Sequence, residues 1–155
     1  MRLLHFDDSR RLTSTDFSRK IIPPYAILSH TWSGDEFLFD DLVNNTGKIG
    51  TGHNKILFCG EQAARDNLRY FWVDTCCIDK WNVSELSNAI NSMYQWYRNA
   101  AKCYVFLTDV SAPMIDAHLH QSTWEASFRK SRWFTRGWTL QELLASWGIR
   151  FYSCN

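Results

Sequence analysis

A tryptophan and a glutamate four positions apart, Trp138 and Glu142, lie in the stretch Arg136-Gly-Trp-Thr-Leu-Gln-Glu142. At about 100° per residue on a helix they are neighbours on one side, opposite a face of Leu140, Leu143, Leu144 and Trp147. An indole beside a carboxylate makes a floor for a flat ring or a sugar. A plainer reading competes, because Thr139-x-x-Glu142 has the spacing of a capping box, in which the carboxylate satisfies a backbone N–H. His30 and Cys76 would form a base and a thiol nucleophile if both ended on one edge. Against that stand a hydrogen-bonded histidine and a buried structural cysteine. Asp74 and Asp79 bracket a tight turn and either face a ligand or accept backbone N–H groups. Arg132 and Arg136 flank Trp133 and suit phosphate or solvent equally. His118-x-His120 supplies two local metal ligands, too few for a site, and no metal is expected.

These residues need a scaffold, and composition bounds it. The chain has 155 residues, 45% of them apolar, with 8 Trp, 6 Tyr and 10 Phe. That suffices for one domain with its own core and excludes a disordered tail or a fibrous repeat. A formal net charge of +1 gives no global attraction to nucleic acid or to anionic membranes, so neither is expected as a partner. Eight tryptophans exceed what so small a core hides, which points to a pocket or a partner. Trp72, Trp96 and Trp147 read as core, Trp32 and Trp138 as edge, and Trp81, Trp124 and Trp133 as connecting segments. Cys59, Cys76, Cys77, Cys103 and Cys154 are odd in number and lack a C-x-x-C spacing, so no disulfide framework is expected. The charged N-terminus does not read as a signal peptide, and no window approaches the ~20 apolar residues of a membrane span. A reduced, cytoplasmic protein is the expectation.

The elements follow from patterning. Met1–Phe6 and Arg10–Thr13 around Asp7-Asp8-Ser9 predict an N-terminal β-hairpin, and residues 1–24 form a lead-in ended by Pro23-Pro24. Tyr25–Leu28, Tyr70–Val73, Cys103–Leu107 and Ile149–Tyr152 are short apolar runs expected as buried strands. Helices are expected over Lys55–Asn67, over Leu86–Ala100 behind an Asn82/Glu85 cap, over Ser122–Phe128 and over Thr139–Ala145. The alternation implies an α/β fold with a mainly parallel central sheet and helices on both faces, one domain with its core at about 25–152. In such a sheet ligands bind beyond the carboxyl ends of the strands. Ser29-His30-Thr31-Trp32, Asp74-Thr75-Cys76-Cys77, Thr108-Asp109 and the start of the last helix should gather there.

Four blocks carry a family resemblance: Tyr25-Ala-Ile-Leu-Ser-His-Thr-Trp32, Trp72-Val-Asp-Thr-Cys-Cys-Ile-Asp79, Leu86-Ser-Asn-Ala-Ile-Asn-Ser-Met93 and Ser131-Arg-Trp-Phe-Thr-Arg-Gly-Trp-Thr-Leu-Gln-Glu-Leu143. Together they resemble the fungal heterokaryon incompatibility (HET) domain over about Tyr25–Tyr152. Such domains are associated with programmed cell death when genetically different fungal cells fuse, and commonly sit in larger proteins. The HET domain in turn is similar to TIR domains, whose last helix carries a tryptophan followed four residues later by glutamate and leucine. Trp138, Glu142 and Leu143 match that spacing, while Thr139 stands where those domains usually have cysteine.

This resemblance implies a TIR-like, flavodoxin-like fold and, in its enzymatic form, cleavage of the bond between nicotinamide and ribose in NAD. Glu142 would then be the catalytic group. Trp138 or Trp32 would stack on a ring, and Ser29, His30, Asp74 and Arg136 would bind the nucleotide. NAD or a related nucleotide is implied as substrate, with no permanently bound cofactor, and self-association on activation or a signalling partner is implied as well. Other TIR domains are adaptors without catalysis, so a non-enzymatic death-signalling assembly module stays open, as does a thiol hydrolase built on Cys76 and His30.

Overall fold

The computed structural model describes residues 1–46, 50–111 and 121–154; His118 and His120 lie outside them. The chain forms β1 (Arg2–Phe6), β2 (Leu12–Asp16), β3 (Tyr25–His30), α1 (Phe39–Asn44), α2 (Thr51–Arg65), β4 (Tyr70–Trp72) and α3 (Asp74–Cys77). It continues through α4 (Val83–Asn99), β5 (Lys102–Leu107), α5 (Gln121–Arg129), a 3-10 turn (Arg132–Thr135), α6 (Gly137–Ala145) and β6 (Ile149–Ser153). The strands form one sheet in the order β2-β1-β4-β3-β5-β6. β4, β3, β5 and β6 are parallel, and the β1–β2 hairpin joins the β4 edge antiparallel.

Sequence alternation on β3 and β5 assigns the two faces. On one side Tyr104 of β5 donates its hydroxyl to Gln62 of α2, and Phe106 packs on Phe58 of α2 with ring centroids 4.7 Å apart. On the other, Tyr25 of β3 reaches Trp96 of α4, and Ser29, two turns of the pleat further on, meets Glu142 of α6. All six residues of β3 are buried, as an inner parallel strand covered on both faces requires. The chain crosses from β3 to β4 in one direction and from β4 to β5 in the other, which places α2 opposite α4 and α6.

Caps fix the helix positions that matter for the edge. Asn82 accepts the Glu85 N–H at 3.1 Å and starts α4. Glu85 does not return to Asn82; it accepts the Asp79 N–H and the Arg2 guanidinium, the latter at 2.9 Å. Arg2 also donates to the Cys77 carbonyl, so the N-terminal hairpin ties down the α3–α4 connection.

Four expectations are corrected. The tight turn expected between Asp74 and Asp79 begins with one turn of helix, Asp74–Cys77. The inward face of α6 is Thr139, Glu142 and Ala145, while Leu140 and Leu144 are 59% and 68% exposed. Trp147 is not core but 77% exposed, with the Arg98 guanidinium 5.1 Å from its ring centroid. Trp133, read as a connecting residue, is buried to 1%. Polar pairings set the inward side of α6 and bury Trp133: Glu142 accepts from Ser29, the Trp133 indole donates to Ser29, and Thr139 lies on the Trp133 and Arg136 carbonyls. Periodicity of apolar residues does not register that kind of contact. Among the described residues no helix is long and apolar enough to cross a membrane.

Candidate functional site

A cavity of about 260 Å³ opens beyond the carboxyl ends of β3 and β4, between α4 and α6. Its polar lining is His30, Trp32, Asp74, Lys80, Arg136 and Glu142. Trp138 closes one side, and Leu86, Ile90, Met93 and Tyr97 of α4 form the apolar wall. The broad apolar stripe of α4 therefore has two uses: Ala89 is buried in the core and Trp96 packs on Trp72, while Leu86, Ile90, Met93 and Tyr97 line the cavity.

Glu142 is 8% exposed and accepts the Ser29 hydroxyl. Ser29 in turn accepts the Trp133 indole N–H at 2.7 Å. Thr139 is occupied elsewhere, its hydroxyl 2.6 Å from the carbonyls of Trp133 and Arg136, and the α6 N-cap is Arg136. Glu142 is thus not a capping carboxylate. Burial pushes its carboxyl up to about 7, the Ser29 hydrogen bond opposes this, and the Asp74 charge adds to it.

Asp74 anchors the opposite wall. Its Oδ1 lies 3.0 Å from His30 Nε2 and its Oδ2 accepts the Trp32 indole N–H at 2.9 Å. Burial works to raise the Asp74 carboxyl, but the hydrogen bond and charge of His30, with Lys80 and Trp32, outweigh it and hold it below the usual range. Asp79, by contrast, accepts the backbone N–H groups of Trp81 and Asn82. His30 Nδ1 has no hydrogen-bond partner and lies 3.8 Å from Glu36 Oε2, while the other oxygen of Glu36 takes the buried Lys55 ammonium. Arg136 donates to the His30 carbonyl at 3.2 Å and stands 5.7 Å from the Trp32 ring centroid. The indole of Trp32 is held edge-on by a carboxylate and left 44% exposed towards the cavity.

His30, Trp32, Asp74, Arg136, Trp138 and Glu142 therefore share one cavity, with Ser29 directly behind Glu142. Cys76 does not join His30 as a nucleophile. It is fully buried against the Val73 carbonyl, and burial, with Cys77 beside it, pushes its thiol well above the ordinary value. Among the described residues no three His, Cys, Asp or Glu side chains gather as a metal site. Arg132 donates its backbone N–H to Asp109 and its side chain is exposed, away from the cavity. Sequence patterning does not assign three participants: Trp133 behind Ser29, Lys80 in the cavity lining, and the Glu36–Lys55 pair. Lys80 alone left a signal, standing six residues after Asp74 on the same connection.

The comparisons with known proteins meet this geometry. The model of the family described as heterokaryon incompatibility protein (HET) matches residues 25–122, which carry Ser29, His30, Trp32, Asp74 and Lys80. Vegetative incompatibility protein HET-E-1 of Podospora anserina is 54% identical over 156 residues, covering 99% of this chain and therefore the α6 side of the cavity too. The chain spans 11% of that relative's length. No solved structure matches the chain. A family match over most of the chain and a relative covering nearly all of it agree, and the chain belongs to the heterokaryon incompatibility (HET) family.

Proposed function

We propose that this domain is an effector of fungal heterokaryon incompatibility that triggers cell death by hydrolysing NAD to nicotinamide and ADP-ribose. The carrying observation is Glu142, a buried carboxyl at the wall of a cavity lined by the exposed indoles Trp32 and Trp138. The name of the Podospora relative, a vegetative incompatibility protein, supports the biological role. The resemblance of Trp138, Glu142 and Leu143 to the TIR helix supports the chemistry.

The nicotinamide ring of NAD is cationic and leaves the ribose as a neutral base, so the C–N bond breaks with its electron pair on the ring nitrogen and no acid is needed. That differs from ordinary glycosidases, in which one of two carboxyls protonates the leaving oxygen. Ionised Glu142 holds the ribose hydroxyls and stabilises the oxocarbenium-like charge; water then adds to the sugar carbon and its proton passes to solvent. A 260 Å³ cavity is near the lower end of ligand pockets, ~300–1,000 Å³, and suits the nicotinamide riboside half. The remainder of the dinucleotide lies across the Trp32 rim.

Purified domain at high concentration should consume NAD and release nicotinamide, and Glu142→Gln should lower turnover about 100-fold or more. Turnover that survives the substitution removes Glu142 as the catalytic group. The outer face of α6, with Leu140 and Leu144 exposed, and the exposed Trp147 just past its end support a second reading in which the domain signals by self-assembly. Absent turnover together with undiminished toxicity of Glu142→Gln in cells would favour it.

A further inference from the structure

We propose that Lys80 and Arg136 form an anion clamp over Trp32 that takes the diphosphate of the bound nucleotide. The clamp deepens the nucleotide reading above and rests on it. The Lys80 ammonium is buried and has no hydrogen-bond partner, yet it lines the cavity 3.7 Å from the Trp32 ring centroid. Arg136 lines the same cavity with its guanidinium 5.7 Å from the same ring, and a single one of its donors is used on the His30 carbonyl. The carboxylates nearby are already engaged: Asp74 gives one oxygen to His30 and the other to Trp32, and Glu36 holds Lys55.

Two like charges on one indole repel each other, and a buried ammonium without an acceptor is costly. Cation–π attraction to Trp32 offsets part of this but supplies no acceptor oxygen to the three ammonium donors or to the free arms of the guanidinium. An anion rich in oxygens satisfies both cations at once, and a fork plus a point charge is the pairing that suits linked phosphates. A diphosphate also bridges the two halves of a dinucleotide, which leaves one ring in the cavity beside Glu142 and the other outside it.

The test is calorimetric binding of inorganic pyrophosphate, ADP and adenosine to wild type, Lys80→Met, Lys80→Arg and Arg136→Gln, each checked for an unchanged melting profile. Pyrophosphate and ADP should bind wild type and lose about tenfold or more in affinity in Lys80→Met and in Arg136→Gln. Lys80→Arg should restore most of it, and the adenosine affinity should not move. A plain packing role for Lys80 would instead weaken ADP and adenosine equally. Unchanged ADP affinity in a folded Lys80→Met, or no binding of pyrophosphate and ADP to wild type, overturns the clamp. NAD turnover run in parallel separates the two claims. Lys80-dependent ADP binding without turnover keeps the clamp and removes the NAD reading. Turnover with the same KM in Lys80→Met does the reverse.

Discussion

Ser29 donates its hydroxyl to Glu142 from the middle strand of the sheet while accepting the Trp133 indole N–H at 2.7 Å. One oxygen therefore joins β3 to the 3-10 turn and to α6, 104 and 113 residues further along the chain. Its proton is directed at the carboxyl because the indole, a donor only, occupies the acceptor side.

Ser29→Ala should accordingly act on two partners. The buried Trp133 N–H loses its acceptor, which costs about 1–3 kcal/mol of stability by urea denaturation. Glu142 loses the hydrogen bond that opposes the burial-driven rise in its pKa. The ascending limb of the pH profile for NAD turnover, expected near 7 in wild type, should move to higher pH. An unchanged limb would show that Ser29 does not tune the carboxyl.

Glu142 should also make the fold less stable as pH rises. Its ordinary value is 4.5 and its folded value about 7, so between these the folded chain binds a proton that the unfolded chain has released. Stability then falls with rising pH across this window, and the loss is complete above it. The shift corresponds to about 3 kcal/mol. Glu142→Gln keeps an acceptor for Ser29 without the charge, so it should match wild type near pH 4 and exceed it in urea melts near pH 8.5. A gap that does not widen with pH would contradict the burial argument.

Much of this arrangement is legible in the sequence because it depends on strand ends. Apolar runs mark β3, β4, β5 and β6, and in a parallel sheet their carboxyl ends must converge, which brings His30, Trp32, Asp74 and Glu142 to one place. The orientation of α6 is not legible in the same way. Leucine periodicity points Leu140 and Leu144 inward, but inward placement of Glu142 depends on a serine 113 residues away, and Thr139 satisfies itself on local carbonyls. Trp133 is hidden for a related reason: Asp109, just past β5, accepts from Ser131 and the Arg132 N–H and so folds the 3-10 turn over the sheet.

Cys76 should be chemically silent. Its thiol is fully buried and held well above its ordinary pKa by burial, so little thiolate is available at neutral pH. Native protein treated with iodoacetamide near pH 8 should leave Cys76 unmodified by mass spectrometry, and folded Cys76→Ser should turn over NAD at the wild-type rate. Rapid alkylation with loss of activity would restore the thiol hydrolase reading.

Asp74 sets the last expectation, because a single carboxylate holds both His30 and the Trp32 indole. Asn at this position has one acceptor oxygen and an amide that can only donate, so it cannot accept from both neighbours. Asp74→Asn should release Trp32, which is already 44% exposed, and weaken stacking on the ligand ring. The observable is the Trp32 indole N–H in ¹⁵N–¹H spectra, assigned by comparison with Trp32→Phe: its exchange with solvent should accelerate in Asp74→Asn. KM for NAD should rise about tenfold, with a smaller change in kcat measured near pH 8.5, where Glu142 is ionised with or without the Asp74 charge that raises its pKa. If the indole stays protected and KM is unchanged, Trp32 is positioned by Lys80 and Arg136 rather than by Asp74.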